Sequence, residues 1–256
     1  MDIQNEILKK LSASESDHGI RILHAVESGS RAWGFASPDS DYDVRFIYAH
    51  DIEWYLKLEK KRYVLELELN DTYDINGWDI KKVFRLLQNS NPTVFEWIHS
   101  PIVYTSNPII ADITPQIDSF FSCKAGLYHY LNTAKSTYKG FIDNKSKVKL
   151  KKYFYVLRPL MACNWILDHK TPPPVLFDSL LNEMETDDEL YIAIQDLLSR
   201  KKNVNETELI NRIPVLEEYI TTEFSNIKVS ADMMKNDKNN DWGLLNSLFL
   251  KCLEMK

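Results

Sequence analysis

Two aspartates, Asp41 and Asp43, are separated by one residue and open a mostly apolar run, Val44 to Tyr48. Alternate residues of a strand share a face, so an extended chain here points both carboxylates the same way. Two ionised carboxylates about 4 Å apart repel by roughly 4 kcal/mol at an effective dielectric near 20. Such a pair calls for a cation between the groups, a shared proton, or open water. A hard divalent cation such as Mg²⁺ takes oxygen ligands and often binds one or two carboxylates together with substrate phosphates. Upstream, beyond residues 31 to 40, Gly29-Ser30 stands at the exit of another mostly apolar run, Ile20 to Val26. Glycine lets the backbone approach closely, and free N–H groups at the start of a helix favour anions. An isolated Asp-x-Asp reads as a solvated surface pair. With Gly-Ser before it and apolar strands on both sides, it reads as a metal–phosphate site.

The elements that must position these residues follow from periodicity. An amphipathic helix is expected over residues 2 to 11, ended by the polar run Ser12 to His18. A strand follows at Ile20 to Glu27, with Glu27 as a polar strand-end residue. Ser30 is placed as the N-cap of a short helix ending near Gly34. Arg31 reads equally as a phosphate partner or a surface ion-pair partner, and Trp33 and Phe35 as packing. Pro38-Asp39-Ser40 is a turn, and the second strand spans Asp43 to Tyr48. A peripheral helix is expected within His50 to Lys61 and a third strand over Arg62 to Leu69. Asp71 to Ile75 continues that strand or forms another, and Asn76-Gly77 is a turn signal. Asp79 opens an amphipathic helix, Asn91-Pro92 starts the next one, and Ile102 to Tyr104 reads as an edge strand.

The wider wording carries a resemblance. Gly29-Ser30 followed by Asp41-Tyr42-Asp43-Val44 resembles the signature of the polymerase-β-like nucleotidyltransferase superfamily. The blocks Gly29-Ser-Arg-Ala-Trp-Gly-Phe, Ser37-Pro-Asp-Ser-Asp-Tyr-Asp-Val-Arg-Phe, Asp74-Ile-Asn-Gly-Trp-Asp-Ile-Lys-Lys, Ser90-Asn-Pro-Thr, Glu96-Trp-Ile-His-Ser-Pro-Ile-Val-Tyr and Lys151-Lys-Tyr-Phe-Tyr-Val-Leu-Arg-Pro-Leu resemble one branch of it. That branch is the predicted nucleotidyltransferases linked to RNA repair, the RNA-ligase-associated polymerase-β-like proteins. The similarity runs from about Arg21 to Leu180. It implies an α+β fold: a nucleotidyltransferase core with a small mixed sheet and flanking helices, then a helical domain. It also implies metal-dependent transfer of a nucleotidyl group. The superfamily's third carboxylate sits on a strand between apolar neighbours. Asp74, between Tyr73 and Ile75, matches that position best, with Asp79, Glu66 and Glu68 as alternatives.

Composition sets the limits. The chain has 256 residues, 44% of them hydrophobic and 12% aromatic, with only seven glycines, which excludes a disordered polypeptide. Its net charge of −6 excludes a protein that coats nucleic acid non-specifically, so a nucleic-acid substrate needs a local basic patch. Cys123, Cys163 and Cys252 form no disulfide or zinc pattern and are expected to be reduced, buried thiols. The start Met1-Asp-Ile-Gln-Asn-Glu lacks a signal peptide's basic and apolar regions, and no apolar run suits a membrane span. A cytoplasmic protein with no membrane partner is the expectation.

From Thr114 the strand signal fades, and the domain boundary is expected near residue 108, giving a catalytic domain 1–108 and a helical domain 109–256. One helix is expected from Thr114-Pro115 to about Tyr138. The stretch Lys145 to Arg158 concentrates positive charge among Tyr153, Phe154 and Tyr155. It reads as a basic helix facing triphosphate or nucleic-acid backbone, or as a solvated face, with Pro159 as a kink or break. After the rigid connector Thr171 to Pro174, helices are expected over 175–181, 188–198, 206–224 and 244–253. No chemical constellation is evident in this last third, and the six histidines are scattered.

The leading reading is transfer of a nucleoside monophosphate from an NTP to an acceptor hydroxyl, releasing pyrophosphate. Asp41, Asp43 and Asp74 are the catalytic and metal-binding residues, with Mg²⁺ or Mn²⁺. Gly29, Ser30, Arg31, Lys149, Lys152 and Arg158 are the nucleotide-binding residues. The acceptor is an RNA 3′ end, a protein hydroxyl (making the protein an AMP- or UMP-transferase), or a small molecule. The competing class is a non-catalytic nucleotide-binding or antitoxin-like module of the same fold.

Overall fold

The computed structural model describes residues 2–185 and 188–254. In chain order the elements are α1 (Ile3–His18), β1 (Ile20–Glu27), α2 (Gly29–Ala32), β2 (Tyr42–His50), α3 (Ile52–Leu56), β3 (Val64–Leu69), β4 (Tyr73–Asp79), α4 (Ile80–Gln88), α5 (Pro92–Ile98), β5 (Val103–Ser106) and α6 (Pro108–Asp118). There follow α7 (Cys123–Phe141), β6 (Lys147–Lys149), α8 (Leu150–His169), α9 (Phe177–Leu181), α10 (Glu189–Lys201), β7 (Leu209–Asn211), α11 (Pro214–Met233) and α12 (Trp242–Leu253). Among the described residues, no helix is long and apolar enough to cross a membrane.

The chain divides into two compact units. The first comprises residues 2–32, 41–121 and 238–254; the second comprises Trp33–Ser40 and Ser122–Asp237. Sequence reading places a single boundary near residue 108, but the division is not a single cut. Helix α6 stays with the first unit, because Ile109, Ile110, Ile113 and Ile117 join the same apolar cluster as Leu23 and Val26 of β1. Leu245, Leu248 and Cys252 of α12 join that cluster too. The segment 33–40, between Gly29-Ser30 and Asp41, belongs to the second unit.

The first unit is built on a five-stranded mixed sheet of order β3-β4-β2-β1-β5. Strands β2 and β4 pair in parallel and the other neighbours are antiparallel. One face packs on α1: Ile7 and Leu11 meet Ile22, Ala25, Val44, Phe46, Tyr48 and Ile75. The other face, with Leu23, Val26, Ile47 and Ala49, packs on apolar residues of α4, α5, α6 and α12. Strand alternation separates the two sets.

Several local expectations change. Helix α1 does not end at Ser12. It continues to His18, Ser14 Oγ donates to Leu11 O at 2.7 Å, and Gly19 closes it at φ 59°. Asn76-Gly77 is no turn: it lies inside β4, and a Cβ at Gly77 would stand 2.3 Å from the Phe46 ring, so the glycine serves packing. The turn lies earlier, where Asn70 Oδ1 accepts from the N–H groups of Thr72 and Tyr73. The helix expected from Thr114 to Tyr138 is two helices. Asn107 caps α6 with Pro108 in its first turn, and Ser122 caps α7.

The second unit is mostly helical, with one two-stranded sheet of β6 and β7. Helices α7 and α8 pack along each other, and α11 packs on both. Phe35, Phe154 and Phe177 form an aromatic core, with Phe35 and Phe154 stacked at 4.8 Å. Cys123, Cys163 and Cys252 are all buried and free.

Candidate active site

The site grows from the end of β1. The Asp43 N–H donates to Glu27 Oε1 at 2.7 Å, and the Ser28 N–H donates to Asp43 O at 2.8 Å. These bonds lay the start of β2 against the exit of β1. Gly29 turns the chain at φ 59° into α2, a conformation that a side chain would strain. Space forbids a side chain as well: a Cβ at Gly29 would stand 2.0 Å from Asp43 Oδ2. The glycine backbone and the Asp43 carboxylate therefore lie in direct apposition.

Asp43 and Asp74 are Cα partners in the parallel ladder of β2 and β4. Their side chains share a face, and Arg45 joins them from two residues along β2. Its Nη2 lies 2.9 Å from Asp43 Oδ1 and 2.7 Å from Asp74 Oδ2. Its Nη1 donates to Asp74 O at 2.6 Å and Val44 O at 3.1 Å. Asn76 Nδ2 donates to Asp74 Oδ1 at 3.3 Å. Arg45 is 14% exposed against 24% for Asp43 and 27% for Asp74, so the carboxylates remain reachable while the guanidinium is fixed beneath them.

Asp41 lies one residue before the first residue of β2. Its carbonyl accepts from Arg31 Nε at 2.9 Å, and its carboxylate has no hydrogen-bond or ion-pair partner among the described residues. The Arg31 guanidinium also lies 3.8 Å from the centre of the Tyr42 ring. Arg31 thus holds the approach to β2. Ser30 is buried in α2.

Glu27 is buried at 1% exposure. It accepts from Asp43 N–H and from the Tyr104 hydroxyl of β5. Burial pushes its carboxyl up to about 7, although both hydrogen bonds pull the other way. Asp79, an alternative for the third carboxylate, is fully buried elsewhere. It caps α4 through Lys81 N–H and takes hydrogen bonds from Tyr55 and His50. Glu66 pairs with Arg62, and Glu68 with Lys10. Asp74 alone of the four stands in register with Asp43.

In the second unit the basic stretch is not one helix. Lys147 to Lys149 form β6 against β7, and α8 begins at Leu150. Lys149 is exposed. Lys152 lies 3.8 Å from the Phe141 ring centre, and burial pushes its amine down. Arg158 is 2% exposed: Nε and Nη2 donate to Val175 O at 3.3 Å, and the guanidinium lies 4.6 Å from the Trp33 ring centre. Pro159 does not break α8, which runs on to His169. The last third does hold a polar constellation. Lys201, 2% exposed, donates to Ser37 Oγ at 2.8 Å, and Glu206 accepts from Ser40 Oγ at 2.8 Å and from Lys151. The Glu206 N–H donates to Asp39. These bonds fasten segment 33–40 within its unit.

Sequence reading missed Arg45, Glu27 and Tyr104 as parts of this arrangement. Arg45 had a signal, since Asp43 and Arg45 alternate on one strand face. The partnership of Glu27 with Tyr104 spans distant segments and had none. No three His, Cys, Asp or Glu side chains stand together as a metal-holding cluster among the described residues. The structure brings together two of the three expected carboxylates, Asp43 and Asp74, beside the glycine cradle at Asp43, and that pair of oxygen donors fits a hard cation.

The chain is 42% identical over 253 residues to the uncharacterized protein YcgL of Bacillus subtilis (strain 168), covering 98% of this chain and 97% of that protein. A crystal structure of a nucleotidyltransferase-like protein from Exiguobacterium sibiricum 255-15 is matched at 13% identity with a TM-score of 0.30, over 88% of this chain and 74% of the other. Residues 3–251 match the family model RlaP, described as the RNA repair pathway DNA polymerase beta family. With Gly29-Ser30 set against Asp43 and Asp43 in register with Asp74, the chain belongs to the RNA repair pathway DNA polymerase beta family.

Proposed function

We propose that this protein is a nucleotidyltransferase that moves a nucleoside monophosphate from an NTP to an acceptor hydroxyl and releases pyrophosphate. The observation that carries the reading is the apposition of Gly29 and Asp43 beside the Asp43–Asp74 register pair. A glycine with positive φ at a strand exit presents backbone N–H groups to an anion, and the carboxylates beside it would suit a hard cation. Asp41, Asp43 and Asp74 would hold Mg²⁺ or Mn²⁺, which when bound neutralises charge on the triphosphate and lowers the pKa of an attacking hydroxyl. Gly29 and Ser30 bind the phosphates. Asp74 orients the acceptor hydroxyl for in-line attack on the α-phosphorus. The attacking oxygen forms its bond to the α-phosphorus and gives its proton to the Asp74 carboxylate as the bond from the α-phosphorus to the leaving pyrophosphate breaks.

The remaining residues position these. Arg45 keeps Asp43 and Asp74 parallel, and Arg31 sets the path of the chain into Asp41. Arg158 acts through Trp33 as an anchor of segment 33–40. The RNA-repair association in the family's description supports an RNA 3′ end as acceptor.

The test is incubation with each labelled NTP and Mg²⁺ or Mn²⁺, with and without total cellular RNA. Label on RNA is the expected result. Label on a protein would replace the acceptor and keep the reaction. No label on any macromolecule, with the protein folded and each NTP and metal tried, would overturn the RNA-transfer reading.

A further inference from the structure

The helical unit holds a cavity of about 390 Å³ that the transfer reaction does not use. It lies between α8, the end of α9 with the turn after it, and α11. Its size falls at the lower end of the roughly 300–1,000 Å³ of small-molecule sites. Two properties of its wall narrow the ligand.

The first is charge. Asp168, Glu183 and Glu223 line the cavity, and no lysine or arginine does among the described residues. Glu183 pairs with His169 at 3.2 Å, and Glu223 accepts from the neutral amide of Asn226 at 3.1 Å. Asp168 has no hydrogen-bond or ion-pair partner among the described residues. Glu223 also faces the interior: after burial, its charge is the next cause that pushes up the Tyr219 hydroxyl and the Cys163 thiol. The lining side chains are therefore net negative, while Lys170 Nζ donates to the carbonyl of Leu167, a residue of the wall.

The second is a preset aromatic and thioether surface. Trp165 is fixed by a 3.1 Å hydrogen bond from Nε1 to Thr171 Oγ1 and by stacking on His169 at 3.9 Å. Tyr219 is fixed by Asn164 Nδ2, which donates to its hydroxyl at 3.2 Å. Met161 and Met184 complete the apolar part. Aromatic faces attract cations, and thioethers accommodate varied apolar shapes. Phosphate, nucleotide and other anionic ligands are repelled by the same wall.

We propose that this cavity binds an organic ammonium ion carrying an apolar or aromatic group, with the ammonium toward Glu223 and Asp168 and the apolar part against Trp165 and Met161. The site is separate from the transfer residues and does not rest on the transfer reading.

Isothermal titration of the full-length protein with 2-phenylethylammonium and with benzyltrimethylammonium tests it, with neutral 2-phenylethanol as the comparison. Saturable binding of at least one cation is expected, about tenfold or more tighter than the alcohol. Glu223→Gln and Asp168→Asn should each weaken that binding several-fold with an unchanged melting midpoint. Asp168 is exposed, so its variant remains informative if Glu223→Gln proves unstable. Failure of both cations to saturate below roughly 10 mM, where the binding free energy falls under about 3 kcal/mol, overturns the proposal. So does equal affinity for the alcohol, or full affinity in folded variants.

Discussion

Asp43 and Asp74 are register partners across the parallel β2–β4 ladder, and one nitrogen of Arg45 serves both, 2.9 Å from the first and 2.7 Å from the second. Directly paired strand residues place their side chains side by side. Two carboxylates there would repel, and the guanidinium offsets that repulsion in the protein alone. The same two groups then form the oxygen-rich edge that a divalent cation and a triphosphate can share.

Replacing Arg45 by Met should therefore expose the repulsion. The groups are mostly covered, so the loss is placed between exposed and buried ion pairs, about 1–3 kcal/mol. Mg²⁺ should restore more stability to Arg45→Met than it adds to the wild type, because a ligand stabilises the state that binds it. Melting curves at rising Mg²⁺ check this. Equal metal shifts in both proteins would contradict the pairing role.

Gly29→Ala should be damaging for two separable reasons. The backbone strain at φ 59° costs about 1–3 kcal/mol. The new Cβ displaces the Asp43 carboxylate, so transfer should fall further than stability alone explains. Denaturant titration and label transfer on the same sample would measure both. Gly19→Ala provides the comparison, since Gly19 has the same φ but open space around it; it should lose stability alone.

Glu27 gives a pH dependence with a defined sign. Its folded-state pKa is raised from 4.5 to about 7, chiefly by burial. The folded state therefore favours the protonated acid. The contribution to stability is fully present below pH 4.5 and is lost as pH rises through about 7. Its size is about 3 kcal/mol from the shift. Glu27→Gln stays neutral and should flatten this part of the stability profile. Parallel curves for the two proteins from pH 4 to pH 8 would remove the buried acid as the cause.

Glu206 links Ser40, Asp39 and Lys151 within the second unit. Burial pushes its carboxyl up, but Lys151 and Ser40 outweigh that and hold it below the usual range. Glu206→Gln keeps a hydrogen-bonding group and removes the charge facing Lys151 and buried Lys201. Amide exchange should speed up selectively over residues 37–40. Unchanged exchange there would show that the segment is held by its aromatic packing alone.

The parts of this architecture legible in the sequence are those with short-range signals. Strand β1 falls at Ile20 to Glu27 as its apolar run indicates, and Asp79 caps α4 as its position before an amphipathic run indicates. Asp74 between Tyr73 and Ile75 falls on a strand, in register with Asp43. What escaped depends on distant partners. Asn76-Gly77 carries a turn's residues, yet the Phe46 ring on the neighbouring strand requires the missing side chain. Lys201 and Glu206 look like ordinary surface charges until the fold brings Ser37 and Ser40 beside them. Residues 33–40 and 238–254 depart from a simple two-part division because their apolar partners lie far along the chain. Local periodicity carries no record of such partners.

Label transfer from an NTP by wild type, Asp43→Asn and Asp74→Asn, with melting curves on the same samples, tests the central assignment most directly. Each substitution keeps the side chain's shape and removes a negative charge. Expected is transfer by the wild type and a loss of at least about a hundredfold in each folded variant, in keeping with the several kcal/mol that charge stabilisation at a metal site supplies. Turnover at the wild-type rate in either folded variant would contradict the assignment of the Asp43–Asp74 pair as the catalytic centre.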